Sequence, residues 1–398
     1  MSSYNIHQNL YSLVLACNIA TGCTGTQAEL QQKMDDALQP SINDLGIGAW
    51  NVVWGPAVWK LHPDETYNAA DHIWFVARGA DVDNGSNATY VIAIAGLAGK
   101  SAANWAEVLN TAQVVDFDTF CKDAGSPPVA AAPESLDPQK PYIALGIANG
   151  VYRLLNAASA GQGTTLTQFL EDIPCDSRVI FTGQSLGGTL SSTLALAVLQ
   201  GGTLKNVSPD KVLVYSVSSG TSGNRPFADL FATSFPLISV GENPYEVWNA
   251  NIWNKYDIVP RFWNTGSVEE QNMRAIPTVY GALPAPLPLL VSEAIELMIA
   301  KHVRPSLVDY VPIQGMMFVP DDAPPTPKNL ICFIRTALTQ HITAYVDFFG
   351  APAPPPLSKA SGLAEAPIIS LFNDTSMAVE EGEGARTELR GVDVLLGA

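Results

Sequence analysis

Positive charge is scarce in this 398-residue chain, which has 21 Lys and Arg residues against 38 Asp and Glu residues and a formal net charge of −17 at pH 7. A protein with this balance repels the phosphate backbone of nucleic acids and, on average, an anionic membrane surface. We therefore expect no nucleic-acid partner and favour a neutral substrate.

The sequence also lacks an apolar run that could cross a bilayer. The most apolar long stretch, residues 276–300, is interrupted by four prolines and carries Glu293 and Glu296, so we predict no transmembrane segment. The N-terminus has a short apolar run with no basic residue before it, which argues against a signal peptide. This pattern predicts a cytoplasmic protein or the mature form of a secreted one.

Cysteine and histidine are rare, with five residues of each. The cysteines cannot all pair within one chain, and none has metal-site spacing from a histidine: Cys17, Cys23, Cys121, Cys175 and Cys332. Cys17 and Cys23 could close a short disulfide loop or remain buried thiols. We predict neither a metal ion nor an organic cofactor.

Residues 178–202 are the stretch around which the chain is organised. Residues 179–181 are β-branched or aromatic, which is typical of a strand buried on both faces of a parallel sheet. A Gly-x-Ser-x-Gly turn follows, with Ser185 between Gly183 and Gly187, and then a helix rich in small residues. Such a turn exposes its serine as a nucleophile, because the small flanking residues let strand and helix approach closely. The alternative is an ordinary Gly-rich loop.

Two backbone N–H groups are candidates to bind an oxyanion beside this serine. Leu186 begins the helix after the turn, where N–H groups are free and the helix end is partially positive. A second buried strand, residues 90–95, ends at Gly96, and the following loop leads into a helix near residue 101. This loop could present the N–H of Leu97 to Ser185, or be a plain strand-to-helix turn.

A serine nucleophile needs a histidine base and a carboxylate that orients the histidine. If both follow the serine in the chain, three of the five histidines are excluded and His302 and His341 remain. Asp257 comes just after an aromatic stretch read as a strand, where open parallel sheets place functional groups. Asp229, in a predicted surface helix, and Asp309 are alternatives for the acid.

Four short motifs together resemble the class 3 lipases of the fungal and plant type, over about residues 70–350. They are TGQSLGG at 182–188, Gly223-Asn224, NKYDIVPRF at 254–262 and HITAYVDFFG at 341–350. The resemblance implies an α/β-hydrolase fold, with a mostly parallel central sheet flanked by helices and with inserted lid or cap segments. It also implies Ser185 as nucleophile, Asp257 as acid, His341 as base and the Gly96-Leu97 loop as part of the oxyanion hole.

The chain departs from this family at the oxyanion loop. Many relatives have Ser or Thr after the glycine and use its hydroxyl as a further donor, whereas Leu97 offers only its N–H. The missing contact could cost up to ~10²-fold in rate. For His302 we favour the role of a cation at a helix C-terminus, beside Lys301 and Arg304.

We therefore predict a serine hydrolase that cleaves carboxylic esters of lipids, as triacylglycerol lipases do, through an acyl-enzyme. An esterase for small esters, or an acyltransferase with the same triad, is the alternative among enzymes, because the fold does not decide between them. An alternative of another class is a non-catalytic binding protein that keeps the fold. Transient contact with a lipid interface is also expected.

We predict one domain over residues 1–355, followed by a linker and acidic tail at 356–398. Two helices within 4–45 are expected to pack across the sheet edge, and the Ala- and Pro-rich residues 119–141 are a possible lid. Residues 142–157 are read as one helix and 246–254 as one strand. The insertion 264–328 is a rival cap through its apolar residues Leu287, Leu289, Leu290 and Val291.

Overall fold

The computed structural model describes residues 4–80, 87–266 and 269–357. The strands are β1 (Asn51–Trp59), β2 (His72–Ala80), β3 (Ala88–Ile94), β4 (Val114–Asp116), β5 (Tyr142–Ala144), β6 (Arg178–Gln184), β7 (Val212–Val217), β8 (Gly223–Asn224), β9 (Ile238–Ser239), β10 (Val247–Trp248), β11 (Ala250–Asn254), β12 (Tyr310–Val311) and β13 (Gly315–Phe318). The helices are α1 (Ile6–Cys17), α2 (Gln27–Asp44), α3 (Ala102–Leu109), α4 (Phe117–Lys122), α5 (Leu145–Asn156), α6 (Leu166–Glu171), α7 (Leu186–Gln200), α8 (Arg225–Ser234), α9 (Leu287–Met298), α10 (Leu330–His341) and α11 (Thr343–Phe349).

The main sheet has seven strands in the order β1-β2-β3-β6-β7-β11-β13. The pairs β1-β2 and β2-β3 are antiparallel, and all pairs from β3 to β13 are parallel. Apolar side chains on its two faces form two separate buried clusters, each covered by helices. The mostly parallel sheet flanked by helices is thus as the sequence predicts.

The apolar runs of the sequence become the central strands, because a strand covered on both faces excludes polar side chains. Every residue of β7 is buried, and so is every residue of β6 after Arg178. The helix α7 is buried over nearly its whole length, which explains its small residues. It lies against β6 and β7 and so fixes the turn that precedes it.

The two N-terminal helices differ from expectation in one respect. The helix α2 packs on the edge strand β1, as predicted, whereas α1 lies across the central strands β3 and β6. Most of the α1 side chains are buried, including Leu10, Leu13 and Val14, because this helix covers one face of the sheet. The end of α1 therefore reaches the region of the Gly-x-Ser-x-Gly turn.

Two predicted elements are divided by tertiary contacts. Residues 142–157 begin as strand β5, which pairs with β4 and β8 in a second, four-stranded sheet, before α5 starts. Residues 246–254 are split at Asn249, which has φ 64°, a conformation that asparagine tolerates better than most residues. The Asn249 side chain accepts a hydrogen bond from the N–H of Val214 at 3.0 Å, which stabilises this break.

All five cysteines are free thiols, so Cys17 and Cys23 do not form a disulfide. No helix in the described part of the chain is both long and apolar enough to span a bilayer. The predicted tail, from residue 358 onward, lies outside the described residues. The N–H of Leu357 donates to the carbonyl of Ile19 at 2.9 Å, so the chain up to this point stays close to the end of α1.

Candidate active site

Ser185 lies between β6 and α7 with φ 60° and ψ −127°, a strained conformation for a residue with a side chain. The flanking glycines are required by packing. A Cβ on Gly183 would lie 2.3 Å from the carbonyl oxygen of Gly187, and a Cβ on Gly187 would lie 2.3 Å from that of Ile94. The strand-to-helix turn is therefore as tight as a nucleophile elbow requires.

Asp257 and His341 form a buried pair at the same edge of the sheet. Asp257 follows β11 and His341 ends α10, and the distance from His341 Nδ1 to Asp257 Oδ2 is 2.9 Å. Since Nδ1 donates to the carboxylate, Nε2 is the ring nitrogen left to accept a proton. This is the orientation that a general base next to a serine needs.

Three further donors hold the Asp257 carboxylate, which is fully buried. Ser218 Oγ and the hydroxyl of Tyr345, the latter at 2.8 Å, both donate to Oδ2, and the N–H of Val259 donates to Oδ1 at 3.0 Å. These bonds offset the cost of removing the carboxylate from water. Burial, and then the Asp257 charge, raise the pKa of Tyr345 well above its ordinary value, so its phenol remains a donor.

Sequence reasoning assigned no role to Ser218 or Tyr345. A signal was present for each: Ser218 directly follows the buried strand β7, and Tyr345 lies within the HITAYVDFFG motif. Ser218 also has φ 52°, which the sequence does not reveal. Its oxygen lies 2.8 Å from His341 Nδ1, so it contacts both members of the buried pair.

The elbow is connected to the histidine through Gln184. Its side-chain Nε2 donates to the carbonyl oxygen of His341 at 2.8 Å, and its Oε1 accepts from the Tyr11 hydroxyl at 3.3 Å. Within the described residues, no hydrogen bond joins the Ser185 hydroxyl to the His341 ring. The backbone of the histidine is thus held against the residue that precedes the serine.

The loop after β3 lies directly beside Ser185. A Cβ on Gly96 would lie 3.1 Å from the carbonyl oxygen of Gln184 and 3.6 Å from Ser185 Cβ. In the part of the chain that the structure describes, the N–H groups of Leu97 and Leu186 have no hydrogen-bond acceptor. Both predicted donors are therefore available to a ligand.

The alternative acid and base residues have other surroundings. His302 lies in the π-helical turn Ile299–Val303 after α9, and its Nδ1 is 2.7 Å from the carbonyl oxygen of Leu109. Asp229, on α8, and Asp309 are both exposed. Of the sequence-predicted residues, the structure brings Asp257 and His341 into direct contact.

The insertion 264–328 contacts two separate regions, the surroundings of Asp257 and the end of α3. Its residue Tyr280 is buried, and burial followed by the charge of Asp257 raises the pKa of Tyr280 well above its ordinary value. The insertion also bonds to the residues just after α3. Thr111 Oγ1 donates to the His302 carbonyl at 2.8 Å, and the Tyr310 hydroxyl donates to the Thr111 carbonyl at 2.7 Å. Leu186 belongs to the same apolar cluster as the insertion's buried side chains.

The segment 119–141 is anchored elsewhere. The carbonyl of Cys121 lies against Gly201, which follows the C-terminal end of α7. Since α7 has 15 residues, this contact is roughly 22 Å from Ser185 at the other end of the helix. The N–H of Ala131 bonds to the carbonyl of Val114 at 2.8 Å, which places the segment beside the small sheet.

Residues 91–266 match the family model of class 3 lipases. Among solved structures, M37 lipase is similar over 94% of this chain and 100% of its own, with 22% identity and a TM-score of 0.60. A Rhizomucor miehei lipase propeptide complex matches 64% of this chain and 61% of its own (17% identity, TM-score 0.37), and nonglycosylated Yarrowia lipolytica LIP2 lipase matches 63% and 73% (16%, 0.40).

No curated protein matches the chain. The likeness to M37 lipase shows that the fold is shared over almost the whole chain. The family match contains Leu97, Ser185, Leu186 and Asp257, and His341 lies beyond it. Together with the mixed sheet and its helices, these findings confirm the predicted resemblance to class 3 lipases, over residues 91–266, and the predicted α/β-hydrolase fold: the chain is a carboxylic ester hydrolase with a class 3 lipase match over that stretch.

Proposed function

We propose that the protein hydrolyses carboxylic esters of lipids through an acyl-enzyme on Ser185, with His341 as base and Asp257 as the acid that orients it. The observation that carries this proposal is the position of Ser185 and Asp257 at the carboxyl ends of two parallel strands of one sheet. The strained serine follows β6, and the aspartate that holds His341 follows β11, with β7 between them. Open α/β sheets bind their ligands at this edge.

In the first half of the reaction, Ser185 Oγ attacks the ester carbonyl while His341 Nε2 takes the hydroxyl proton. The positive imidazolium is stabilised by Asp257, and the carbonyl oxygen becomes an oxyanion. The N–H groups of Leu97 and Leu186 stabilise that charge. When the tetrahedral intermediate collapses, His341 returns the proton to the departing alcohol and the acyl group remains on Ser185.

In the second half, water replaces the alcohol. His341 Nε2 takes a proton from the water, the resulting hydroxide attacks the acyl carbonyl, and the same N–H groups hold the second oxyanion. Collapse releases the carboxylic acid, and the proton on His341 returns to Ser185 Oγ. No other reactant is needed.

We further propose that the insertion 264–328, and not residues 119–141, forms the cap over the site. The insertion buries Tyr280 where the Asp257 charge acts on it, whereas Cys121 in the other segment lies against Gly201, at the far end of α7 from Ser185. Its helix α9 buries Leu287 and Val291 but leaves Leu289 61% exposed. An apolar cap that exposes a leucine suits a lipid ester and transient contact with a lipid interface.

Labelling with a fluorophosphonate tests the proposal. We expect the reagent to modify Ser185 in the wild-type protein and not in Ser185→Ala, which should also lose hydrolysis of p-nitrophenyl esters with its unfolding temperature unchanged. Persistent labelling of Ser185→Ala would show that another residue is the nucleophile. Absence of labelling and hydrolysis in the wild type would favour a non-catalytic binding protein.

Substrate length separates the enzymatic alternatives. We expect kcat/KM to rise from acetyl to long-chain p-nitrophenyl esters, and long-chain triglycerides to be cleaved. A preference for acetyl esters would favour a small-ester esterase. Transfer of the acyl group to an added alcohol in preference to water would favour an acyltransferase.

A further inference from the structure

We propose that Asn18, at the C-terminal end of α1, is a positioning residue that sets the oxyanion-binding N–H of Leu97. The inference rests on the proposed function, in which the N–H of Leu97 stabilises the oxyanion. Asn18 itself lies outside the family-matched residues 91–266. Asn18 Oδ1 accepts a hydrogen bond from the N–H of Gly96 at 2.9 Å, although 78 residues separate the two along the chain.

The orientation of the Asn18 amide is determined by its two partners. Its Nδ2 donates to the carbonyl of Val14 at 2.8 Å, and its Oδ1 accepts from Gly96. A carbonyl can only accept and an N–H can only donate, so exchanging the oxygen and nitrogen would break both bonds. The amide therefore connects the last turn of α1 to the loop in one way.

A second asparagine holds the other side of the same loop. Asn104 Oδ1 accepts from the N–H of Ala98 at 3.1 Å, and its Nδ2 donates to the carbonyl of Asp71. Asn104 is itself fully buried at the start of α3. The N–H groups on both sides of Leu97 are thus occupied, and the one between them is available.

This arrangement matters because the direction of an N–H depends on the peptide plane that carries it. The N–H of Leu97 belongs to the peptide that joins it to Gly96, and glycine rotates more freely than any other residue. Space for a side chain at Gly96 is tight, since a Cβ there would lie 3.1 Å from the Gln184 carbonyl oxygen. The bond to Asn18 restrains that freedom and holds the loop beside Ser185.

Asn18 also compensates for the missing hydroxyl at position 97. With no side-chain donor, the loop stabilises the oxyanion through one N–H, so its direction controls a larger share of the stabilisation. Misplacing a catalytic group by about 1 Å can cost roughly 10²-fold in rate. The position of α1 across β3 and β6 explains how an N-terminal residue reaches this loop.

The test compares Asn18→Ala with Thr21→Ala. Thr21 Oγ1 donates to the Asn18 carbonyl at 2.8 Å, so Thr21→Ala removes a bond from the same turn without touching the loop. Each variant is assayed with a p-nitrophenyl ester and with the thionoester, in which sulfur replaces the carbonyl oxygen. Sulfur accepts hydrogen bonds poorly, so the ratio of the two kcat values reports the oxyanion contact and not general damage.

We expect Asn18→Ala to lower the oxoester kcat by about 10-fold to 100-fold, with KM unchanged and a much smaller effect on the thionoester. Thr21→Ala should retain the wild-type ratio. An unchanged ratio in Asn18→Ala, or an equal fall in both variants, would overturn the assignment.

A second variant covers the case in which Asn18→Ala does not fold. Asn18→Asp retains an acceptor for Gly96 and should keep the ratio near that of wild type, because its added charge opposes both substrates' intermediates alike. A large fall in the ratio of oxoester kcat to thionoester kcat in Asn18→Asp would also overturn the inference. Fluorophosphonate labelling at Ser185 in the wild type distinguishes this failure from failure of the proposed function itself, which would leave Ser185 unlabelled.

Discussion

The phenol of Tyr345 donates to Asp257 Oδ2, the same carboxylate oxygen that receives the Nδ1–H of His341. The distances are 2.8 Å and 2.9 Å, and the Tyr345 oxygen also accepts from the N–H of Asn254. One buried hydroxyl thereby connects Asp257, the end of β11 and the helix that follows His341. The carboxylate is held by side chains from three elements and not by the histidine alone.

Tyr345→Phe should therefore lower both stability and kcat. A hydrogen bond to a charged group contributes roughly 1.5–3 kcal/mol, and its loss leaves Asp257 less well held, so we expect kcat to fall about 10-fold. Tyr310→Phe is the matched control, because this buried phenol donates to the carbonyl of Thr111, away from the acid. Urea unfolding and ester hydrolysis of both variants make the comparison. An equal fall of kcat in Tyr310→Phe and Tyr345→Phe would indicate a general effect of removing a buried hydroxyl.

The two histidines that follow the serine should differ sharply. His341→Ala should reduce kcat/KM by orders of magnitude, because it removes the proposed base, whereas His302→Ala should leave kcat/KM within a few-fold of wild type. His302 contacts the Leu109 carbonyl and so contributes to the attachment of the insertion. Steady-state kinetics on one soluble ester suffices. If the phenotypes were exchanged, the insertion would supply the base.

The pH dependence of stability should contain a contribution from His7. Its ring is buried between Tyr215 and Trp248, and burial lowers its pKa from 6.5 to about 4, a larger effect than the opposing charge of Glu246. The folded protein thus keeps His7 neutral at a pH where the unfolded chain protonates it. The free energy of unfolding is therefore unaffected by His7 protonation above about pH 6.5, and it falls by at most roughly 3 kcal/mol as the pH is lowered toward 4.

His7→Phe should abolish that part of the pH dependence while retaining the contacts between rings. The measurement is the free energy of unfolding in urea at pH 7.5, 6 and 5 for both proteins. We expect the wild type to lose more stability over this range than the variant. Parallel curves would mean that His7 does not titrate as its burial implies.

The parts of the site that the sequence predicts are those formed by residues near one another in the chain. The apolar run, the two glycines and Ser185 specify the elbow within a few residues, and the strand before Gly96 is equally local. Asp257 and His341 are 84 residues apart: their positions in the chain made them candidates, and the family resemblance selected them from the alternatives.

The remaining parts depend on how distant elements pack. The position of α1 across the central strands is not encoded in its own pattern, which is apolar on most sides and compatible with several locations. The contacts of Asn18 with Gly96 and of Tyr11 with Gln184 follow from that position. The break at Asn249 and the strand at the start of residues 142–157 have the same origin, because pairing with other strands overrides local preference there.

The proposed cap is tested by comparing the two segments, 119–141 and 264–328, that could respond to a lipid interface. If hydrophobic burial at an oil surface offsets the cost of opening a cap, the rate should jump once a partly soluble triglyceride passes its solubility limit. Replacing residues 126–136 with a Gly/Ser linker should leave the jump unchanged, because Cys121, just before that segment, lies near the far end of α7 and Ala131 bonds to Val114 of the small sheet.

Leu289→Ser should instead reduce the jump several-fold and leave hydrolysis of soluble p-nitrophenyl acetate unchanged, since the exposed leucine on α9 contacts lipid and not the reacting ester. Leu237→Ser is the matched control: this leucine is 45% exposed and precedes β9, whose partner β10 lies at the amino end of β11, opposite the edge that carries Asp257. Loss of the jump in the linker variant would identify residues 119–141 as the lid. A smooth hyperbola through the solubility limit in the wild type would exclude an interfacial cap and favour an esterase for soluble esters.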